Sequence, residues 1–165
     1  SVVVVVNPPV SFDLLYSQLK GAYLGQTIPH QIRTLAPGIT GFNLTRTATN
    51  RIEINSDNQP FAMSSQAPFP QGPVQSIYYA AQRADTFFAG NQTHRKAGDK
   101  VALPGTIITI KQTDNVGVPT RVAFEFEESL DNAKYQWLQF NPAHRRFVAF
   151  AVPAVGETVH IDGPF

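Results

Sequence analysis

The sequence predicts an all-β fold: a jelly-roll-like or other antiparallel β-sandwich of about eight strands, with one short helix near the N-terminus. Three observations carry this expectation. Thirteen prolines are scattered along 165 residues, and proline breaks long helices because it lacks a backbone donor and clashes with the preceding turn. The stretches between them are short and rich in β-branched and aromatic residues, several with a period of two. Residues 106–128 read as a complete hairpin, with a strand at 106–112, a loop at 113–118 and a return strand at 119–128.

The first element is the run Val2, Val3, Val4, Val5 and Val6. It lacks alternation, so it is expected to be a strand that is buried on both faces or paired with another chain. Asn7, Pro8 and Pro9 end it. A helix is expected next, with Ser11 as cap, Asp13 in the first turn, Lys20 in the last turn and Gly21 as stop. Phe12, Leu15 and Leu19 share one of its faces. Residues 28–38, interrupted by Pro29 and Pro37, read as irregular or as a short strand.

Strands are expected at 39–45 and 50–55, around a turn at 47–49. In the second, Ile52 and Ile54 alternate with Arg51, Glu53 and Asn55, the pattern of a half-buried strand. Residues 56–73 contain four prolines but also Phe61, Met63 and Phe69. They read as a long ordered loop and a candidate interaction surface. Residues 74–81 read as a strand with apolar groups on both faces, 85–90 as strand or turn, and 91–100 as a polar, basic loop.

In the 119–128 strand, Val122, Phe124 and Phe126 alternate with Arg121, Ala123, Glu125 and Glu127, while Asp114, Asn115 and Gly117 supply the turn chemistry. A second pair is expected from 135–140 and 147–152, and a last strand from 158–161. With no internal repeat and no composition break, the chain reads as a single domain over residues 1–165.

Composition narrows the function classes. Hydrophobic residues make up 42%, enough for a core. Charged residues make up 15%, below the roughly 25% usual for soluble domains, as expected where surface is covered by partner subunits. A net charge of +1 gives no general attraction to nucleic acid or membranes, and no apolar run is long enough to span a bilayer. The absence of cysteine excludes disulfides, thiol catalysis and thiolate metal sites. The first residue is Ser1 and not methionine, which reads as a trimmed initiator or a cleaved leader. The valine run is too short for a signal-peptide core.

Signatures of chemistry are few. There is no G-x-S-x-G elbow, no phosphate-binding glycine loop, no H-E-x-x-H and no EF-hand loop. His160 and Asp162 would share one side of a strand, but two ligands do not make a metal site. Glu125 and Glu127 alternate with core residues and read as solvent-facing. No cofactor or metal is therefore expected, and no catalytic residue is assigned.

Binding candidates are the aromatic pair Tyr135 and Trp137, which would suit a sugar ring if exposed, and two basic clusters. One contains His94, Arg95, Lys96 and Lys100, the other His144, Arg145 and Arg146; phosphates or an acidic glycan are the matching ligands. Interface candidates are Val2 to Val6, Phe61 and Phe69. The favoured function is structural: a β-sandwich subunit that self-associates or joins a larger shell, such as a virion coat or minor capsid protein. A secreted carbohydrate-binding or adhesive module comes second, and a hydrolase whose site forms only in the fold comes third. Sequence-specific nucleic-acid binding is not expected. The location that matches is a virion or the extracellular space.

Overall fold

A computed structural model of the chain describes residues 1–9, 18, 20–36, 41–56, 96–115 and 117–163. Ten strands are described: β1 (Val2–Val5), β2 (Gln31–Thr34), β3 (Phe42–Ala48), β4 (Arg51–Asn55), β5 (Lys100–Leu103), β6 (Thr106–Thr113), β7 (Pro119–Phe126), β8 (Tyr135–Asn141), β9 (Arg146–Ala149) and β10 (Thr158–Ile161). They form a four-stranded sheet, β2-β1-β8-β9, and a six-stranded sheet, β10-β3-β4-β7-β6-β5. The two sheets pack as the expected sandwich. Val2, Val4, Tyr135 and Trp137 from the first meet Phe42, Leu44, Ile52, Ile54, Phe124 and Phe126 from the second in one core.

The six-stranded sheet is antiparallel throughout. The four-stranded sheet is mixed, because β1 runs parallel to both β2 and β8. This departs from a jelly roll, whose sheets are antiparallel, and the valine run accounts for the difference. Parallel pairing belongs with strands buried on both faces, and Val2 to Val6 are all 8% exposed or less. Each buried valine stabilises the fold by roughly 1.5–2 kcal/mol.

A parallel neighbour needs a crossover connection, and the chain between β1 and β2 supplies one that contains a short helix. Of that helix, residues 18 and 20–23 are described; its expected cap Ser11 and its expected apolar residues Phe12, Leu15 and Leu19 lie outside the described residues. Gly21, the expected stop, is itself helical. The helix ends at Gly25, whose φ of 66° opens the left-handed turn. The Gly25 N–H donates to the Ala22 carbonyl and the Gln26 N–H to that of Gly21, the two bonds of a Schellman cap.

β1 does not end abruptly at its prolines. The Val6 N–H donates to the Leu138 carbonyl at 2.8 Å. The Asn7 side chain then takes over from the backbone: its Oδ1 accepts from the Phe140 N–H at 2.7 Å and its Nδ2 donates to the Phe140 carbonyl at 3.2 Å. A buried amide thereby carries the ladder past the point where Pro8 could contribute no donor.

Most expected boundaries in the described residues lie within a few positions of those observed. The strand expected at 39–45 is β3, and it continues through Ala48, beyond the expected turn at 47–49. The pair expected from 135–140 and 147–152 is β8 with β9, antiparallel, joining Leu138 to Ala149 and Asn141 to Arg146. The irregular stretch at 28–38 contains β2. One strand, β5, follows the expected loop at 91–100 and was not anticipated. Its signal was the Pro104-Gly105 pair, a two-residue turn in which Gly105 takes φ 75°. The strand expected at 74–81, the element at 85–90 and all but Ser56 of the loop expected at 56–73 lie outside the described residues.

Arg46 closes one end of the core. It occupies an inward-facing position of β3, beside an irregularity in the β3–β4 register, and is 4% exposed. All five of its guanidinium N–H groups are used. Nε donates to the Ala48 carbonyl, Nη1 to the Pro153 carbonyl and Asp131 Oδ1, and Nη2 to the Thr49 carbonyl and Asp131 Oδ2. The paired contact to Asp131, at 3.0 and 2.6 Å, has the forked geometry of a strong charge-assisted interaction.

Arg46→Ala should lower unfolding stability by about 3 kcal/mol, because three carbonyls and a carboxylate lose their donors; urea denaturation measures it. The Arg46 guanidinium holds the Asp131 carboxyl below its ordinary value of 3.8. A depressed folded value stabilises above the unfolded value and is lost as pH falls through the folded one. The melting-temperature gap between the native chain and Asp131→Asn should therefore be full above about pH 4 and narrow as pH falls below it. Asn7→Ala strands the Phe140 N–H and carbonyl, and should cost about 1–3 kcal/mol by the same denaturation measurement.

Candidate functional site

Tyr135 and Trp137 share a face of β8, as their spacing predicts, and that face points into the core. They are 8% and 7% exposed, and they form edge-on ring contacts with Phe126 at 5.4 and 5.6 Å. The indole Nε1 donates to the Leu130 carbonyl at 3.0 Å. A sugar-stacking platform built on this pair is therefore corrected: both rings are needed to fill the space between the sheets.

The valine run is likewise corrected as a strand offered to another chain. β2 takes one of its edges and β8 the other, so no row of backbone donors is left open along it. Phe61 and Phe69 lie outside the described residues, as do His94 and Arg95. Lys96 and Lys100, both exposed, precede and begin β5 at an edge of the six-stranded sheet. Arg145 and Arg146 are exposed at the turn into β9, an edge of the other sheet. Topology thus assigns the described parts of the two basic clusters to different sheets. Arg145 takes φ 47°, the left-handed region that a branched-free side chain enters at some cost.

Histidines and carboxylates converge little. His160 meets Asn43 Oδ1 at 2.9 Å and Asp162 Oδ1 at 3.7 Å, all at the surface. His144 meets Asn141. Glu125, Glu127 and Glu128 are exposed. Among the described residues no three potential ligands gather around a cation position.

Two features that sequence reasoning missed stand out. The first is the outer edge of β5, along which no described strand pairs. Ile110 donates to the Asp99 carbonyl, and donors alternate along an antiparallel ladder, so the backbone groups of Val101 and Leu103 turn toward β6. Those of Lys100 and Ala102 turn away from the sheet. Apolar side chains accompany this edge: Leu103 is 36% exposed and Ile107, across from Ala102 in β6, is 44% exposed.

The second feature is a cleft of about 350 Å³ where the starts of β1, β2 and β8 approach the β5–β6 turn. Arg33 from β2 and Lys134 beside β8 bring positive charge to it. Arg33 reaches across to the turn, donating from Nη2 to the Pro104 carbonyl at 2.8 Å. Lys134 is offset by Glu127 at 3.7 Å and Glu128 at 3.9 Å. Comparison with known proteins adds no assignment: no family model, no curated protein and no solved structure matches this chain.

Proposed function

We propose that the protein is a structural subunit that assembles through the β5 edge with further copies of itself, as the building block of an oligomer or of a shell such as a virion coat. The observation that carries this reading is the outward-facing backbone of Lys100 and Ala102, flanked by exposed Leu103 and Ile107. Isolated sheet edges are usually guarded by charges, bulges or proline; here Lys100 and Pro104 flank the edge, and between them stand only Val101, Ala102 and Leu103.

A second copy is the fitting occupant because the edge is self-complementary. Antiparallel pairing centred on Val101 sets Lys100 against Ala102 and Leu103 against Asp99, so no like charges meet. The N–H and C=O groups of Lys100 and Ala102 would exchange four hydrogen bonds across the two-fold axis. The low charge content of the chain agrees with surface covered in an assembly.

Ala102→Pro provides the test. It removes an outward donor while sparing the bonds to β6, a position where edge strands accept proline. Light scattering should find dimers or larger assemblies of the native chain and monomers of Ala102→Pro, with circular dichroism unchanged. A native chain that stays monomeric across concentration and ionic strength would overturn the reading.

A further inference from the structure

We infer that Asp162 is a modification site, at which the folded protein converts aspartate to isoaspartate by attack of its own backbone. The inference is independent of assembly through β5, because β10 is the opposite edge of the six-stranded sheet. Asp162 directly follows β10 and is itself followed by Gly163. Glycine has no side chain to shield its backbone nitrogen, and it leaves the chain free to bend toward the preceding carboxyl.

A fold suppresses this reaction where hydrogen bonds hold the carboxylate or the N–H that follows it. The other aspartates among the described residues are held in this way. Asp99 Oδ2 accepts from the Lys96 N–H at 2.9 Å, and Asp114 Oδ1 accepts from the Val118 N–H at 2.8 Å. Asp131 is forked onto Arg46, and the N–H of the following Asn132 donates to the Ser129 carbonyl at 3.0 Å.

Neither restraint acts at Asp162. Its side chain is 88% exposed, and the nearest charged-group contact, from His160 Nε2 to Oδ1, is 3.7 Å and beyond hydrogen-bond range. The other nitrogen of that ring, Nδ1, is engaged with Asn43 Oδ1 at 2.9 Å. The Gly163 N–H has no hydrogen-bond partner among the described residues. On the peptide group between the two, Asn7 Nδ2 donates to the Asp162 carbonyl at 3.5 Å, the limit of such a bond. Immediately before, Ile161 is buried and paired with Phe42, so the ordered sheet ends where the reactive pair begins.

The step balances without any reactant but water. The Gly163 nitrogen attacks Cγ of the protonated Asp162 carboxyl; the N–Cγ bond forms, the Cγ–hydroxyl bond breaks, and the hydroxyl leaves as water with the amide proton. Water then opens the five-membered imide. Attack at Cγ restores aspartate, whereas attack at the backbone carbonyl carbon leaves the chain running through Cγ. That product has one extra methylene in its backbone beyond β10 and the same mass as the original.

Incubation of the folded chain at neutral pH and physiological temperature, followed by tryptic digestion, tests the site. The peptide that begins at Phe147 is expected to split into two chromatographic peaks of equal mass, the new one resistant to an aspartate-specific endoprotease at residue 162. Electron-transfer fragmentation assigns the isomer. Conversion at Asp162 should be within about tenfold of that in the urea-unfolded chain, and at least about tenfold faster than at Asp99, Asp114 or Asp131 in the folded one. Gly163→Val, with its fold checked by circular dichroism, should slow conversion by about tenfold or more, because a branched side chain crowds the attacking nitrogen. No isomer at residue 162 in the folded chain, equal conversion at the other three aspartates, or undiminished conversion in Gly163→Val would each overturn the inference.

Discussion

Burial of the five-valine run on both faces is the constraint that the rest of the four-stranded sheet answers to. A strand that is apolar on both sides cannot lie at an edge with one face in water, so it takes the centre, with β2 and β8 alongside. Because its neighbours run parallel to it, the chain must cross over before β2 and travel through most of its length before β8. Pro8 would break such a strand at its exit, and the Asn7 amide prevents this by standing in for a peptide group opposite Phe140. The opposite end of β1 meets the β5–β6 turn and leaves the cleft. One packing requirement thus determines the sheet order, the crossover and the place of the cleft.

At the other side of the core, Arg46 does for loops what β1 does for strands. Its guanidinium gathers the carbonyls of Ala48, Thr49 and Pro153 with the Asp131 carboxylate. Its backbone joins Gly156 and Glu157. Chain segments separated by more than a hundred residues are held at one charge whose donors are all satisfied. The contrast with Arg33 is instructive. Both arginines approach the space between the sheets, yet Arg46 has a forked carboxylate partner and Arg33 has neutral oxygens and an unpaired Nε.

Much of the fold was legible in the sequence where alternation was strong. Ile52 and Ile54 in β4, and Val122, Phe124 and Phe126 in β7, announce both a strand and the face it buries. Asp114 and Gly117 announce the turn: Asp114 Oδ1 accepts from the Val118 N–H, and Gly117 takes φ 83°. β5 was hidden because four residues are too few to show a period, and Gly21 misled because a helix can pass through a glycine when a better-placed one follows. The candidate site was hardly legible at all. Its residues come from β2, the β5–β6 turn and the start of β8, elements far apart in the chain.

The sequence by itself determined the β class, the central hairpin and the absence of cysteine chemistry, because these depend on local periodicity and composition. It also held two readings of the valine run and two of the Tyr135–Trp137 pair. Only the tertiary structure decided between them. A strand's partners and a ring's exposure depend on which other surfaces arrive beside it, and no local pattern encodes that. For the same reason, the outer edge of β5, unpaired among the described strands, and the unpaired atoms of Arg33 and Tyr135 emerge only when the two sheets are set together.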